Sequence, residues 1–509
     1  MVWDMYRDIN AIKLLLKGES EFRFNPLLWR TEADLWIMGC MYQGIMMFDE
    51  NLEISDRLTK KVDLINDSME CTLELKEDLH WSDGTPISTY DIEFTIKVLL
   101  NPSFKGNRGN HGNHGNHLLN IMGALEYKEG IKKNIEGIEI LNDRNIKFQF
   151  IKPDESFKRR LLLPIIPKHI FEKYSVSEFL DKVIDEECVS CGPYKLKSFT
   201  KNNFKFQKND TFHLGVPRIP NMEIELNNTD HFLNKLYTNE VDFSILSYNE
   251  AYNFEHNQDQ SDYTIYKLPK PQINFVALNH RNKYLKVKEF RKAIMHGINR
   301  NEILNVVYKN YGNIINQYYP SLLEQYVSND LQNYDYNVKK ALNEIDKLQE
   351  SNNITLKMGI PSEDKESLLT AQIIKRNLIE IGITLEIIEC SKSTWRQKFK
   401  NEQLDMYIMN YLLFLDPDPQ MLFGKNSHFI SAIGWENATN VSLIDMGQQD
   451  KQKRVSIYKE WSKLINTQLP ILPLLSPYDI QVIHNRIKGI KPDPRGVLWN
   501  IHELEIKGV

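Results

Sequence analysis

Apolar runs cut by turn-forming residues give this chain an alternation of strands and helices, clearest in its second half. Residues 365–381 carry Leu368, Ala371, Ile374, Leu378 and Ile381 at a helical period, and Gly382 is a natural stop. A strand at Ile354–Met358 precedes this helix and one at Thr384–Ile388 follows it, which predicts a β-α-β unit. The stretch Leu404–Phe423 (LDMYIMNYLLFLDPDPQMLF) then opens with Met406, Ile408 and Leu412 among Tyr407 and Tyr411. An apolar run without helical period predicts a strand buried on both faces, and with its neighbours a parallel α/β lobe. Asp416-Pro417-Asp418-Pro419 stops the strand, because two prolines remove two donors and fix two φ angles. Its carboxylates stand at the carboxyl end of a strand, where open α/β sheets bind ligands; the alternative is a rigid turn with solvated acids.

The first half is patterned more loosely. Trp36, Ile37, Cys40 and Met41 predict a buried helical face ended by Gly44. Cys71, Leu73 and Leu75 alternate as a half-buried strand. Ser88 and Asp91 make a capping-box pair ahead of a helix on Ile92, Thr95, Ile96 and Leu99. Asn142-Asp143 marks a hairpin, and Gly192–Leu196 opens another strand. Prolines at 164 and 167, and again at 269 and 271, predict crossovers between domains. The strand Ile273–Leu278 and helices at 287–299, from Asn337 and over 451–465 follow; Pro470, Pro473 and Pro477 then punctuate the return to a last strand near Ile480–Ile483.

At 509 residues the chain exceeds one core and predicts two or three domains. Its formal net charge of −5 argues against nucleic acid or an anionic membrane surface as the main partner. The first residues, MVWDMYRDIN, carry no basic segment followed by an apolar one, so the expectation is either a cytoplasmic protein or a chain given without its leader. Five cysteines are too few and odd in number for a disulfide framework; Cys188 and Cys191 have redox or half-zinc spacing, or are two small loop residues. The glycine-rich stretch Phe104–His117 repeats His111, His114 and His117 at every third position, a weak metal-binding pattern or a repeat-expanded surface loop. No GxSxG, HExxH, P-loop or GxGxxG motif is present, which favours a binding protein over an enzyme and calls for no cofactor.

Several separated motifs resemble one family. LHWSDGTPISTYDIEFTIKVLL (Leu79–Leu100) is similar to the hallmark segment of the family 5 extracellular solute-binding proteins of bacterial ABC importers, which take oligopeptides, dipeptides and nickel. GPYKL (Gly192–Leu196) resembles that family's Gly-Pro-Tyr strand, and LNHRNKYLKVKEFRKAIMHGINRNEI (Leu278–Ile303) its arginine-alanine helix, with Asn299 in place of the usual Asp. Asp405–Pro419 is similar to the Asp-Met … Asp-Pro-Asp-Pro segment of the oligopeptide-binding members, and Leu469–Ile506 to the family's C-terminal end.

The resemblance implies an α/β, periplasmic-binding-protein-like type II fold: two lobes with a hinge plus an extra domain. Residues 1–50, 166–268 and 474–509 would form domain I, 51–165 the extra domain II, and 269–473 the mobile lobe, domain III. The implied function is capture of oligopeptides between the lobes and delivery to membrane permease subunits, by a lipid-anchored cell-surface or periplasmic monomer. Within the family an acid on the mobile lobe receives the peptide's ammonium, a charge-assisted bond in a dry cleft. Here Tyr411 stands for the family tryptophan, and Phe414 occupies the place where some relatives carry that acid. Asp416, or else Asp418, therefore becomes the expected partner; Trp395 is a cleft ring or a core residue. A nickel or metal–chelator ligand, and a cytoplasmic regulator or enzyme reusing the fold, are the alternatives.

Overall fold

The computed structural model describes residues 8, 10–18, 25–28, 31–50, 52–104, 115–181, 188–227, 232–256, 262–348, 354–413, 418–425, 427–450 and 452–507. The chain divides into two compact units, the first of 1–245, 257–266 and 481–509, the second of 246–256 and 267–480. It therefore passes between them at 245/246, 256/257, 266/267 and 480/481. Pro164 and Pro167 lie within the first unit.

In the first unit, β1 (Ala11–Leu16) precedes α1 (Glu32–Met41). This helix stops at Met41 with Tyr42 as its C-cap, not at Gly44, which instead forms a bridge with Pro164. Strands β2 (Thr59–Ile65) and β3 (Glu70–Leu75) are followed by α2 (Thr89–Leu100) and the hairpin β4 (Ile138–Asn142) and β5 (Asn145–Gln149). These four strands form an antiparallel sheet in the order β2-β3-β5-β4, on which Cys71, Leu73 and Leu75 face inward. Asp91 begins α2 as its pattern predicts, accepting from the Ser88 amide at 2.9 Å, and it also accepts from the Lys168 amide at 2.8 Å. Then come β6 (Tyr194–Phe199), β7 (Asn203–Lys208), β8 (Asn221–Leu226) and β9 (Phe243–Leu246), arranged with β1 as β9-β1-β8-β7-β6. Asp242, almost wholly buried, accepts from Arg486 at 2.6 and 2.7 Å and from the Lys13 amide at 2.8 Å, tying β1 to the C-terminal segment.

The second unit contains β10 (Gln272–Leu278), α3 (Lys288–Gly297), α4 (Val338–Ile345), β11 (Ile354–Pro361), α5 (Lys365–Ile379), β12 (Ile383–Cys390), α6 (Lys392–Lys400) and β13 (Met406–Leu412). After these come α7 (Gln420–Phe423), α8 (His428–Ile433), α9 (Ala438–Gln449), α10 (Arg454–Gln468) and β14 (Ile471–His484), whose residues from Gln481 onward belong to the first unit. The strand order is β12-β11-β13-β10-β14. Only β12, β11 and β13 run parallel; β10 pairs antiparallel with both β13 and β14, so the lobe is mixed rather than parallel. The β-α-β unit is present, and Gly382 follows α5 at φ +77°, a left-handed turn suited to glycine.

Two expectations fail for physical reasons. The apolar run of β13 is buried on both faces only over Met406–Ile408; beyond it the residues alternate and Leu412 is half exposed. The proline-marked return is not a break but a 14-residue strand, β14. Pro473 stands beside a register shift between Asn274 and Phe275, so its missing donor falls where the ladder is already interrupted.

Candidate functional site

The parallel trio β12, β11 and β13 brings three carboxyl ends together. Helix α5 starts just after β11 and α6 just after β12. Asp364 caps α5, its Oδ1 accepting from the Ser367 amide at 2.9 Å and its Oδ2 from the Ser367 hydroxyl at 2.7 Å. Asn410, exposed near the end of β13, donates to Asp364 Oδ2 at 3.0 Å and to Ser367 Oγ at 3.2 Å. Ser391 caps α6 by accepting from the Thr394 amide, and the Ser362 amide donates to the Cys390 carbonyl at 2.9 Å. The result is a rim of a carboxylate, a carboxamide and hydroxyls at the strand ends, between two helix N-termini whose amides favour negative groups. Asp364 and Ser391 could have been found as Asp-x-x-Ser and Ser-x-x-Thr caps; Asn410 had no such signal.

Behind this rim sits an aromatic wall. The Trp395 indole donates to the Gly359 carbonyl at 3.0 Å, its ring lying 5.8 Å from Tyr407 edge-on and 6.0 Å from Phe399. A Cβ at Gly359 would press on Leu404 and the Tyr407 ring, so glycine makes room on β11 for these two side chains. The Tyr407 hydroxyl donates to the Lys398 carbonyl at 2.8 Å and accepts from the Leu404 amide at 3.0 Å. Trp395 is half-buried and bonded to backbone, so it serves the packing of this wall. Tyr411, paired with Ile273 on β10, is also half-buried, and burial pushes its phenol up to about 12.

Of the two acids in the Asp-Pro-Asp-Pro run, Asp418 is engaged at home. Its Oδ1 accepts from the Gln420 amide at 2.9 Å, and its Oδ2 accepts from Gln448 at 2.9 Å and faces Arg454 at 3.7 Å. Arg454 in turn lies over the Tyr458 ring, 5.3 Å from its centroid. Asp418 thus fastens α7 to α9 and α10, a structural duty. Asp416 and Phe414 lie outside the described residues.

His111 and His114 also lie outside them; the His117 carbonyl accepts from Arg160, which holds that end of the loop to the first unit. Among the described residues no three His, Cys, Asp or Glu side chains come together as a metal site. Cys188 and Cys191 are thiols; Cys191 is buried, accepts from the Gln43 amide at 3.3 Å, and burial pushes its thiol up to about 12. A thiol so protonated is a poor nucleophile.

Residues 53–428 match the model for bacterial extracellular solute-binding proteins, family 5 Middle. The peptide transport periplasmic protein SapA of Haemophilus influenzae is 24% identical over 395 residues, 73% of this chain and 68% of SapA. The oligopeptide-binding protein AppA of Bacillus subtilis is 20% identical over 509 residues, 94% of this chain and 89% of AppA. The structure of AppA in complex with a nonapeptide aligns with a TM-score of 0.75 at 18% identity, over 97% of this chain and 99% of that one. The substrate-binding protein CtaP of Listeria monocytogenes aligns with a TM-score of 0.83 at 19% identity, over 98% of this chain and 100% of CtaP.

Proposed function

The chain belongs to the bacterial extracellular solute-binding proteins of family 5, the substrate-binding components of ABC importers, and from that premise we propose that it captures oligopeptides outside the cytoplasm and hands them to a membrane permease. Its fold is the type II periplasmic-binding-protein-like α/β fold. The observation that carries the proposal is the match over residues 53–428, supported by relatives named for peptide transport and oligopeptide binding. The protein works as a monomer, held at the cell surface by a lipid anchor or free in a periplasm. Three domains share this work: 1–50 with 166–268 and 474–509, 51–165, and 269–473.

Capture proceeds by closure of one lobe on the other, and a ligand stabilises the closed state only through contacts that both lobes make at once. A peptide main chain is a row of donors and acceptors, and the rim of Asp364, Ser391 and Asn410 presents both kinds to it. With Asp418 occupied by Gln448 and Arg454, Asp416 is the acid we assign to the peptide's ammonium, and Tyr411 and Phe414 are its fellow ligand-binding candidates.

A thermal-shift screen against a diverse peptide library tests the reading. Stabilisation by peptides is expected, following the ligand-linkage relation, about 2.7 kcal/mol at a hundredfold excess over Kd. Asp416→Asn should lose most of that stabilisation while melting normally without ligand. Indifference to every peptide sinks the proposal; unchanged affinity in Asp416→Asn removes only the assignment of that residue.

A further inference from the structure

The charge of the second unit is unevenly placed. The chain as a whole is formally −5, yet residues 281–292 carry Arg281, Lys283, Lys286, Lys288, Arg291 and Lys292 against the single acid Glu289. Helix α6 carries Lys392, Arg396, Lys398 and Lys400 and no acid at all. The fold brings the two segments together. Arg281 pairs with Glu402, just past α6, at 2.9 Å; Asn279 donates to the Glu402 carbonyl at 3.3 Å, and Asn282 donates to Asp405 at 2.8 Å. Lys283, Lys286 and Lys400 are exposed, and Lys398 is half-exposed on the last turn of α6. Only Arg291 is withdrawn, buried and bonded to the carbonyls of Leu285, Lys286 and Gln468. This edge lies where β10 ends and β13 begins, at the opposite end of the strands from the rim of Asp364, Ser391 and Asn410.

We propose that this edge, the loop 281–286 with the C-terminal end of α6, docks on a membrane surface bearing anionic lipid headgroups. A cluster of like charges costs self-repulsion, and an opposing anionic surface relieves it. Composition selects lipid over an acidic protein face. Specific protein interfaces are enriched in arginine and aromatic anchors and depleted in lysine. Here the exposed charges are mainly lysines, mobile point charges suited to a diffuse field, and the ring nearest them, Tyr284, is half-buried and packed on Phe290. Docking through the end remote from the rim leaves the strand ends free to take ligand. The inference concerns a separate surface and stands whether or not the ligand is a peptide.

Flotation of the full chain with vesicles tests it, using phosphatidylcholine alone and with about one-third phosphatidylglycerol. Binding is expected only to the anionic vesicles and should vanish near 0.5 M salt, where the screening length falls to about 4 Å. The variant K283Q/K286Q/K398Q/K400Q should lose about fivefold in vesicle affinity per lysine removed. A control, K197Q/K201Q/K205Q/K208Q, removes the same charge from β6, β7 and their turn in the first unit and should bind almost as wild type. Melting curves and ligand binding in solution should be the same for all three proteins. Equal binding to neutral and anionic vesicles, or equal losses in the two variants, overturns the proposal. So does a variant that keeps vesicle binding but loses association with the detergent-solubilised permease, since that assigns the edge to an acidic protein.

Discussion

The sheet of the second unit separates two cores of different character. Strand β10 sends Val276 and Leu278 to one side and Ile273, Phe275 and Ala277 to the other. The first side is aliphatic, built from Ile294, Leu356, Ile374, Leu378 and Ile383 beneath α3, α4 and α5. The second is aromatic, with Tyr318, Tyr319, Phe423, Phe429 and Trp461 joined by edge-on pairs and Tyr458 tilted against Tyr326. The aromatic side also holds bonded polar groups. Asn440 accepts from the Trp461 indole at 2.8 Å and donates to the Phe423 carbonyl at 2.7 Å. Aliphatic side chains pack by volume and forgive small changes; rings tied to carboxamides have one arrangement. The contrast assigns the two sides different work: one stabilises the lobe by volume, the other fixes α7, α8, α9 and α10 against the sheet.

The largest expected effect breaks the aromatic side at its centre. Trp461→Ala removes a ring lying 5.3 Å from both Tyr318 and Phe423 and strands the Asn440 carbonyl oxygen. It should cost about 3–5 kcal/mol in denaturant unfolding; a loss under about 1 kcal/mol would mean that this side is not a packed core.

Next comes pH. His280 is buried against the aromatic side, its amide donating to the Ile433 carbonyl at 2.7 Å and its Nε2–H to the Pro470 carbonyl at 2.9 Å. Burial, with nearby Arg291 and Arg281, lowers its pKa from 6.5 to about 4. Between those values the unfolded chain binds the proton and the folded one does not, so stability is complete above pH 6.5 and falls toward pH 4. The span is about 3 kcal/mol. His280→Gln should flatten that slope; an unchanged slope assigns the acid sensitivity elsewhere.

A smaller effect is expected from Gly447→Ala, since a Cβ there would run into the Tyr458 ring, which cannot yield without disturbing Arg454 and Asp418. Overpacking of this kind costs about 1–3 kcal/mol. On the aliphatic side Ile374→Val should cost only about 0.5–1.5 kcal/mol. If Ile374→Val proves the more damaging of the two, the difference in tolerance between the sides is reversed.

The aliphatic side was legible in the sequence because each of its helices carries its own period. Leu368, Ala371, Ile374, Leu378 and Ile381 announce α5 without reference to anything distant. The aromatic side was legible only in the helix over 451–465, which carries Tyr458 and Trp461; its other rings come from the short α7 and α8 and from the stretch around Tyr318 and Tyr319, and only the fold collects them. Strand β14 was misread for a related reason: proline is judged locally, while the register shift that accommodates Pro473 belongs to its partner strand. The family was legible through whole motifs such as Leu79–Leu100, whose capping pair Ser88 and Asp91 forms as expected. The site was legible only in part. The strand ends could be placed, but Asn410 bonding to Asp364 across 46 residues leaves no periodic trace.

The most direct test of the central claim is mass spectrometry of the ligand retained by the protein after gentle purification, under native and then denaturing conditions. Capture of oligopeptides requires a set of peptide masses that leave the protein on unfolding and restore its thermal stability when added back. A retained nickel chelate, or an empty protein that no peptide stabilises, would contradict it.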